Sequence, residues 1–143
     1  MNKRTLVAIE RIITCINELS IITKNKSVEY FYDSFEMNIL LDILQEIELN
    51  LDKISIKIKE KYKNIDWDII KKEKHYDEVF EESLNLGKAW ILASATLKDN
   101  LLNKLILLLE DELPSYYKEL IKGRVRRFNA DKKQIIIKRL VMY

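Results

Sequence analysis

The chain is poor in residues that interrupt regular structure. Its 143 residues include two glycines, Gly87 and Gly123, and one proline, Pro114. A many-stranded sheet needs tight turns built on such residues, so their scarcity points away from β architecture and toward long helices with few polar connections. One cysteine, Cys15, excludes an intramolecular disulfide and a cysteine-based zinc site within one chain. It reads as a buried apolar thiol in a reducing, cytoplasmic compartment. One histidine, His75, leaves no set of histidines at metal-ligand spacing, so neither a metal nor another cofactor is expected. Gly87 and Gly123 are too far apart to form a phosphate loop. The longest apolar runs, such as Leu105–Leu109, fall far short of the ~20 residues that span a bilayer. No signal-peptide pattern follows Met1, and no membrane partner is expected.

What is present is a globular composition, 48% hydrophobic and 34% charged, of a length suited to one domain. The charge is uneven. Residues 124–143 hold seven Lys or Arg and one acid, Asp131, a net +6; since the chain is +2, the other 123 residues carry −4. This divides the chain into a helical bundle, 1–123, and a basic C-terminal tail, 124–143.

Periodicity supplies the elements. Leu6, Ile9, Ile13, Ile16 and Leu19 recur at spacings of three and four, which predicts a helix over 3–23. Met37, Leu40, Leu44, Ile47, Leu51, Ile54 and Ile58 form a ladder of the same kind. It predicts a second helix from about Val28 to Lys61, with a break expected near Leu51–Ser55 where weak helix formers gather. Asp66 is placed to cap a short helix through Ile70, and Lys71–His75 has no apolar member. A third helical stretch is expected from about 76 to 112, with a possible interruption at Lys98–Asn100. Pro114 suits the first turn of a last helix that Gly123 ends. The fold class is all-α, an up-and-down bundle of four to five helices with a basic C-terminal extension. Within the tail, Gln134–Val141 is β-branched and basic, compatible with a helix, an added strand or a free arm.

Three segments carry a family resemblance. Leu41-Asp-Ile-Leu-Gln-Glu-Ile47 resembles a Leu-x-Ile-Ile-Gly-Glu-Ala segment, with Glu46 on the glutamate. The run Ile54–Ile70, containing Tyr62-Lys-Asn-Ile-Asp-Trp-Asp-Ile-Ile70, is similar to a Tyr-Pro-x-Ile-Pro-Trp-x-x-Ile stretch. Glu110-Asp-Glu-Leu-Pro-Ser-Tyr117 resembles an acidic Leu-Pro turn. In this order they resemble the HepT-like branch of the HEPN superfamily, small helical proteins of toxin–antitoxin and defence modules that include ribonucleases. The resemblance covers residues 1 to about 122. It implies a HEPN-like bundle, a homodimer, and binding of RNA, of a nucleotidyltransferase partner, or of both.

The family's Arg, four to six residues, then His-x-Tyr is not reproduced. Trp67 and Ile70 are followed by Lys71-Lys-Glu-Lys-His-Tyr-Asp77, and no arginine lies between Arg11 and Arg124. Metal-independent RNA cleavage needs a proton-transfer group near neutral pH and a cation over the phosphate. His75 with Lys71 or Lys72 are the candidates, although lysine lacks arginine's bidentate fork. Tyr76 sits loosely where the family has a tyrosine that partner nucleotidyltransferases can modify. In the tail, Arg124, Arg126, Arg127, Lys132 and Lys133 are candidate phosphate contacts. The reading that follows is a HEPN-like protein that binds without the usual ribonuclease motif. Its alternatives are an active metal-independent endoribonuclease using His75, and a structural helical adaptor that dimerises without a nucleic-acid role.

Overall fold

The computed structural model describes residues 1–31, 35–76, 82–83, 85–115, 119 and 131–141, with the backbone alone at 30, 31, 75, 76, 82 and 83. The chain is an all-α bundle. Helix α1, Lys3–Thr23, begins where the Asn2 side chain accepts a hydrogen bond from the Thr5 amide at 2.8 Å. It ends in a turn where Asn25 takes a left-handed φ of 57°, a conformation asparagine tolerates. Helix α2 is one turn, Val28–Phe31, and α3 runs from Phe35 to Asp52. Ile9, Ile12, Ile13, Ile16 and Leu19 of α1 meet Leu40, Ile43, Leu44 and Ile47 of α3, all fully buried, and this seam is the centre of the core.

The expected break in the second helix falls at Lys53–Ser55. Ser55 caps α4, Ile56–Lys61, through its hydroxyl, which accepts from the Ile58 amide at 3.3 Å. The Ser55 amide in turn donates to the hydroxyl of buried Thr5 at 3.1 Å. A cap on one helix is thereby tied to the first turn of another, fifty residues away, so the α3–α4 corner rests on the start of α1.

Asp66 orders a turn rather than a helix, accepting from the Asp68 amide at 3.2 Å; a single 3₁₀ turn then covers Lys71–Glu73. The third helical stretch does not start at 76. His75 and Tyr76 (β1) pair antiparallel with Ser83 and Glu82 (β2), and the helix begins only at Leu86, where the Asn85 side chain caps it.

From Leu86 to Glu112 the helix is continuous: α5 (Leu86–Ile91), π-helical stretches at Leu92–Thr96 and Lys98–Leu102, then α6 (Asn103–Glu112). Lys98–Asn100 therefore widens the helix without interrupting it. The widening has a cause in the sequence. Ala89, Ala93, Leu97, Leu101, Leu105 and Leu109 are buried at a strict spacing of four. In an α-helix of 3.6 residues per turn such a repeat drifts by about 40° at each step and would leave the core. A π turn holds more residues and keeps the stripe on α1.

The last described element, α7 (Lys132–Val141), opens where Asp131 accepts from the Gln134 amide at 2.8 Å. It packs on α1 and α3, with Ile135 at 2% exposure. The basic segment thus contributes to the core over 132–141. Among the described residues, no helix is long and apolar enough to cross a membrane.

Candidate functional site

The densest chemistry lies where α7 crosses α1 and α3. Ile135 and Arg139 are four residues apart, so they share the inner face of α7. Arg139 is 9% exposed and reaches between the two helices. Its Nη2 lies 3.0 Å from Glu18 Oε2, its Nε donates to the same oxygen at 3.1 Å, and its Nη1 donates to Glu46 Oε2. Nη2 also lies 3.8 Å from the Cys15 sulfur. The other Glu46 oxygen accepts from Arg11 Nη2 at 2.6 Å, so each oxygen of this carboxylate is held by a different arginine.

The protonation states follow from this geometry. Burial alone would raise the Glu46 carboxyl, but the Arg139 and Arg11 guanidiniums outweigh it and hold it below the usual value. Burial works against the Arg139 charge too, and again the carboxylates prevail, keeping it cationic. Cys15 gains no such support: burial, then the Glu46 charge, push its thiol up to about 12. The thiolate is the reactive form of cysteine, so Cys15 is a packing residue at neutral pH.

Beside this cluster an open groove of about 610 Å³ runs between α1 and α3, lined by Val7, Arg11, Asp42, Gln45, Glu46, Leu49, Asn50, Lys53 and Arg139. Its floor is braced by the Asn50 side chain, which donates to the Glu46 carbonyl at 2.8 Å. Val7 and Leu49 remain about half exposed in its walls.

A second polar cluster ties the Tyr62–Ile70 segment to the end of α6. Tyr62 donates its hydroxyl to Asp111 and to Glu112, the latter at 2.6 Å, and Lys61 pairs with the same Glu112 oxygen at 2.6 Å. Lys104 donates to the Asn64 carbonyl at 2.9 Å, and the Trp67 indole to the Tyr62 carbonyl at 3.2 Å. Desolvation and the two accepting carboxylates raise the Tyr62 hydroxyl above its ordinary value, so it stays a donor. Two of the segments behind the resemblance, separated by some fifty residues, therefore meet.

The structure disperses the residues singled out from the sequence. Lys71 pairs with Asp52 at 2.6 Å, Lys72 with Asp66, and Lys74 with Glu48 at 2.6 Å. The His75 and Tyr76 backbones lie in β1, while their side chains are outside the described residues. Arg124, Arg126 and Arg127 also lie outside them. Lys132 pairs with Glu36 at 3.0 Å, and Lys133 is exposed. Among the described residues, no three His, Cys, Asp or Glu side chains are grouped to hold a metal ion.

Sequence reasoning missed Arg139 as an anchor, and missed the groove. The available signal was Arg139 four residues after Ile135 in a run whose neighbours are β-branched. No family model, curated protein or solved structure matches the chain.

Proposed function

We propose that this chain is a HEPN-like, HepT-like protein of a toxin–antitoxin or defence module, which binds RNA, a nucleotidyltransferase partner, or both, and acts by binding rather than by cleaving. The all-α bundle is compatible with that reading, and the order of the three resembling segments supports it. The observation that weighs most against cleavage is the engagement of the lysines nearest His75: Lys71, Lys72 and Lys74 each face a carboxylate. A cation committed to an aspartate is a poor partner for a developing phosphorane charge, and lysine offers no bidentate grip. The test is incubation of the protein with labelled RNA, without added metal, beside the His75→Ala variant. Intact RNA with salt-sensitive binding is expected; cleavage abolished by His75→Ala would establish the ribonuclease reading instead.

The ribonuclease alternative keeps one supporting observation. The His75 backbone is paired with Ser83 and follows directly on the Lys71–Glu73 turn, which fixes its place in the fold better than a free loop would.

A further inference from the structure

The described cations divide into those with an assigned partner and those without. Lys61, Lys71, Lys72, Lys74, Lys132 and Arg139 each face a carboxylate. Arg4, Lys53 and Lys57 are exposed, and no ion pair is assigned to them among the described residues. These three are far apart in sequence but converge on the corner where the Ser55 amide is bonded to Thr5. Arg4 lies one turn before Val7 on the groove side of α1, and Lys53 lines the groove at the end of α3. Lys57 follows four residues later, in the first turn of α4.

We infer that the groove between α1 and α3 is a binding track for single-stranded RNA, entered at the Arg4–Lys53–Lys57 corner. This rests on the RNA-binding reading above and assigns it a surface. Three features carry it. The first is charge. Two carboxylates, Glu18 and Glu46, lie at and behind the floor, and Arg139 neutralises both from the rear. The mouth is then dominated by Arg4, Arg11, Lys53 and Lys57, with Asp42 further along α3. The second is shape: the groove is open along its length and has apolar walls at Val7 and Leu49, against which a base or ribose face can lie while phosphates meet the cations. The third is residue type. Lysine is depleted from protein–protein interfaces, where fixing its side chain is costly, whereas a phosphate backbone draws its affinity from counterion release and tolerates mobile lysines. The track differs from the tail arginines and from the His75 element as a place for RNA. It gives α7 a role at a distance: Arg139 sets the sign of a groove it does not itself open.

The test is fluorescence anisotropy with a labelled oligouridine strand, titrated across a salt series. The proteins are the full chain, the triple variant Arg4→Gln/Lys53→Gln/Lys57→Gln, and the control triple Lys24→Gln/Lys98→Gln/Lys133→Gln, whose positions do not line the groove. Each lost phosphate contact on a single strand lowers the salt slope by about 0.7, so the groove triple should lower it by about 2 and weaken binding on the order of 100-fold at 0.1 M salt. The control triple should retain the parent slope. Circular dichroism checks that all three are folded, which their exposed positions favour. Parent binding that survives the groove triple overturns the track while leaving the RNA reading intact. An equal loss in both triples also overturns it, since the attraction is then only to net charge. Failure of the parent to bind at low salt overturns the track together with the RNA reading.

Discussion

Two sets of ion pairs in this protein use the same chemistry and do different things. The side chains of Lys71 and Asp52 meet at 2.6 Å while retaining 43% and 47% of their exposure; those of Arg139 and Glu18 meet at 3.0 Å with 11% and 6%. Distance does not separate them; solvent does. The exposed pair interacts through water and salt and is open to exchange. The buried one has given up its hydration, and each member now depends on the other. A lysine-rich surface turn and a single arginine in a helix of the tail look alike as charges in a sequence. In the fold, one is a solvated face and the other a joint between three helices.

The comparison can be broken most forcefully at Arg139. Replacing it with alanine strands the Glu18 and Glu46 carboxylates in a site built for a guanidinium, and the expected loss is about 3–5 kcal/mol of unfolding free energy, read by urea denaturation. Arg139→Met with Glu18→Gln, which removes charge from both sides, should recover part of that loss. The same joint should respond to acid. Glu46 has its carboxyl lowered by the two arginines, so its contribution is complete above the ordinary value of 4.5 and fades as pH falls through the lowered one. Thermal melts from pH 7 downward should show stability falling in that window, and the acid-induced fall should be smaller in Glu46→Gln.

Tyr62→Phe probes an intermediate case, a hydroxyl half in water that serves two carboxylates. Loss of about 1 kcal/mol is expected, with Asp111 and Glu112 left to Lys61 and solvent. The smallest effect belongs to the exposed set: Lys71→Ala and Lys72→Ala should each change stability by less than about 0.5 kcal/mol, and added salt should erase the difference. A cost of several kcal/mol at Lys71 would show that the surface pairs bear the fold as the buried ones do.

Much of the architecture was legible because it is local. The spacing of Leu6 to Leu19 delimits α1 at Lys3–Thr23 as observed, and the ladder from Met37 to Leu51 marks the inner face of α3. Ser55 and its weak neighbours mark the break. The start of the third helix was misplaced by about ten residues, because Val79, Phe80 and Leu84 extend its apolar pattern N-terminally while Asn85 supplies the cap that begins it. The site was far less legible. Arg139 meets carboxylates 121 and 93 residues earlier in the chain. Nothing in the periodicity of 132–141 separates an arginine that faces two glutamates from one that faces water. The groove is hidden for the same reason: Arg4, Val7, Leu49 and Lys53 are ordinary surface residues until Thr5 and Ser55 bring their helices together.

The four-residue repeat of the long helix limits how this protein can vary. Deleting one residue between 92 and 102 would let the helix rewind as a regular α-helix, but everything beyond the cut would turn by about 100° about the axis. Leu105 and Leu109 would leave the core, and Asp111 and Glu112 would swing away from Tyr62. Removing four residues keeps the stripe in phase and shortens the rod by one step. Insertions and deletions in this stretch are therefore quantised: length can change there only by whole repeats, and related sequences that keep the bundle should differ across 92–102 in multiples of four.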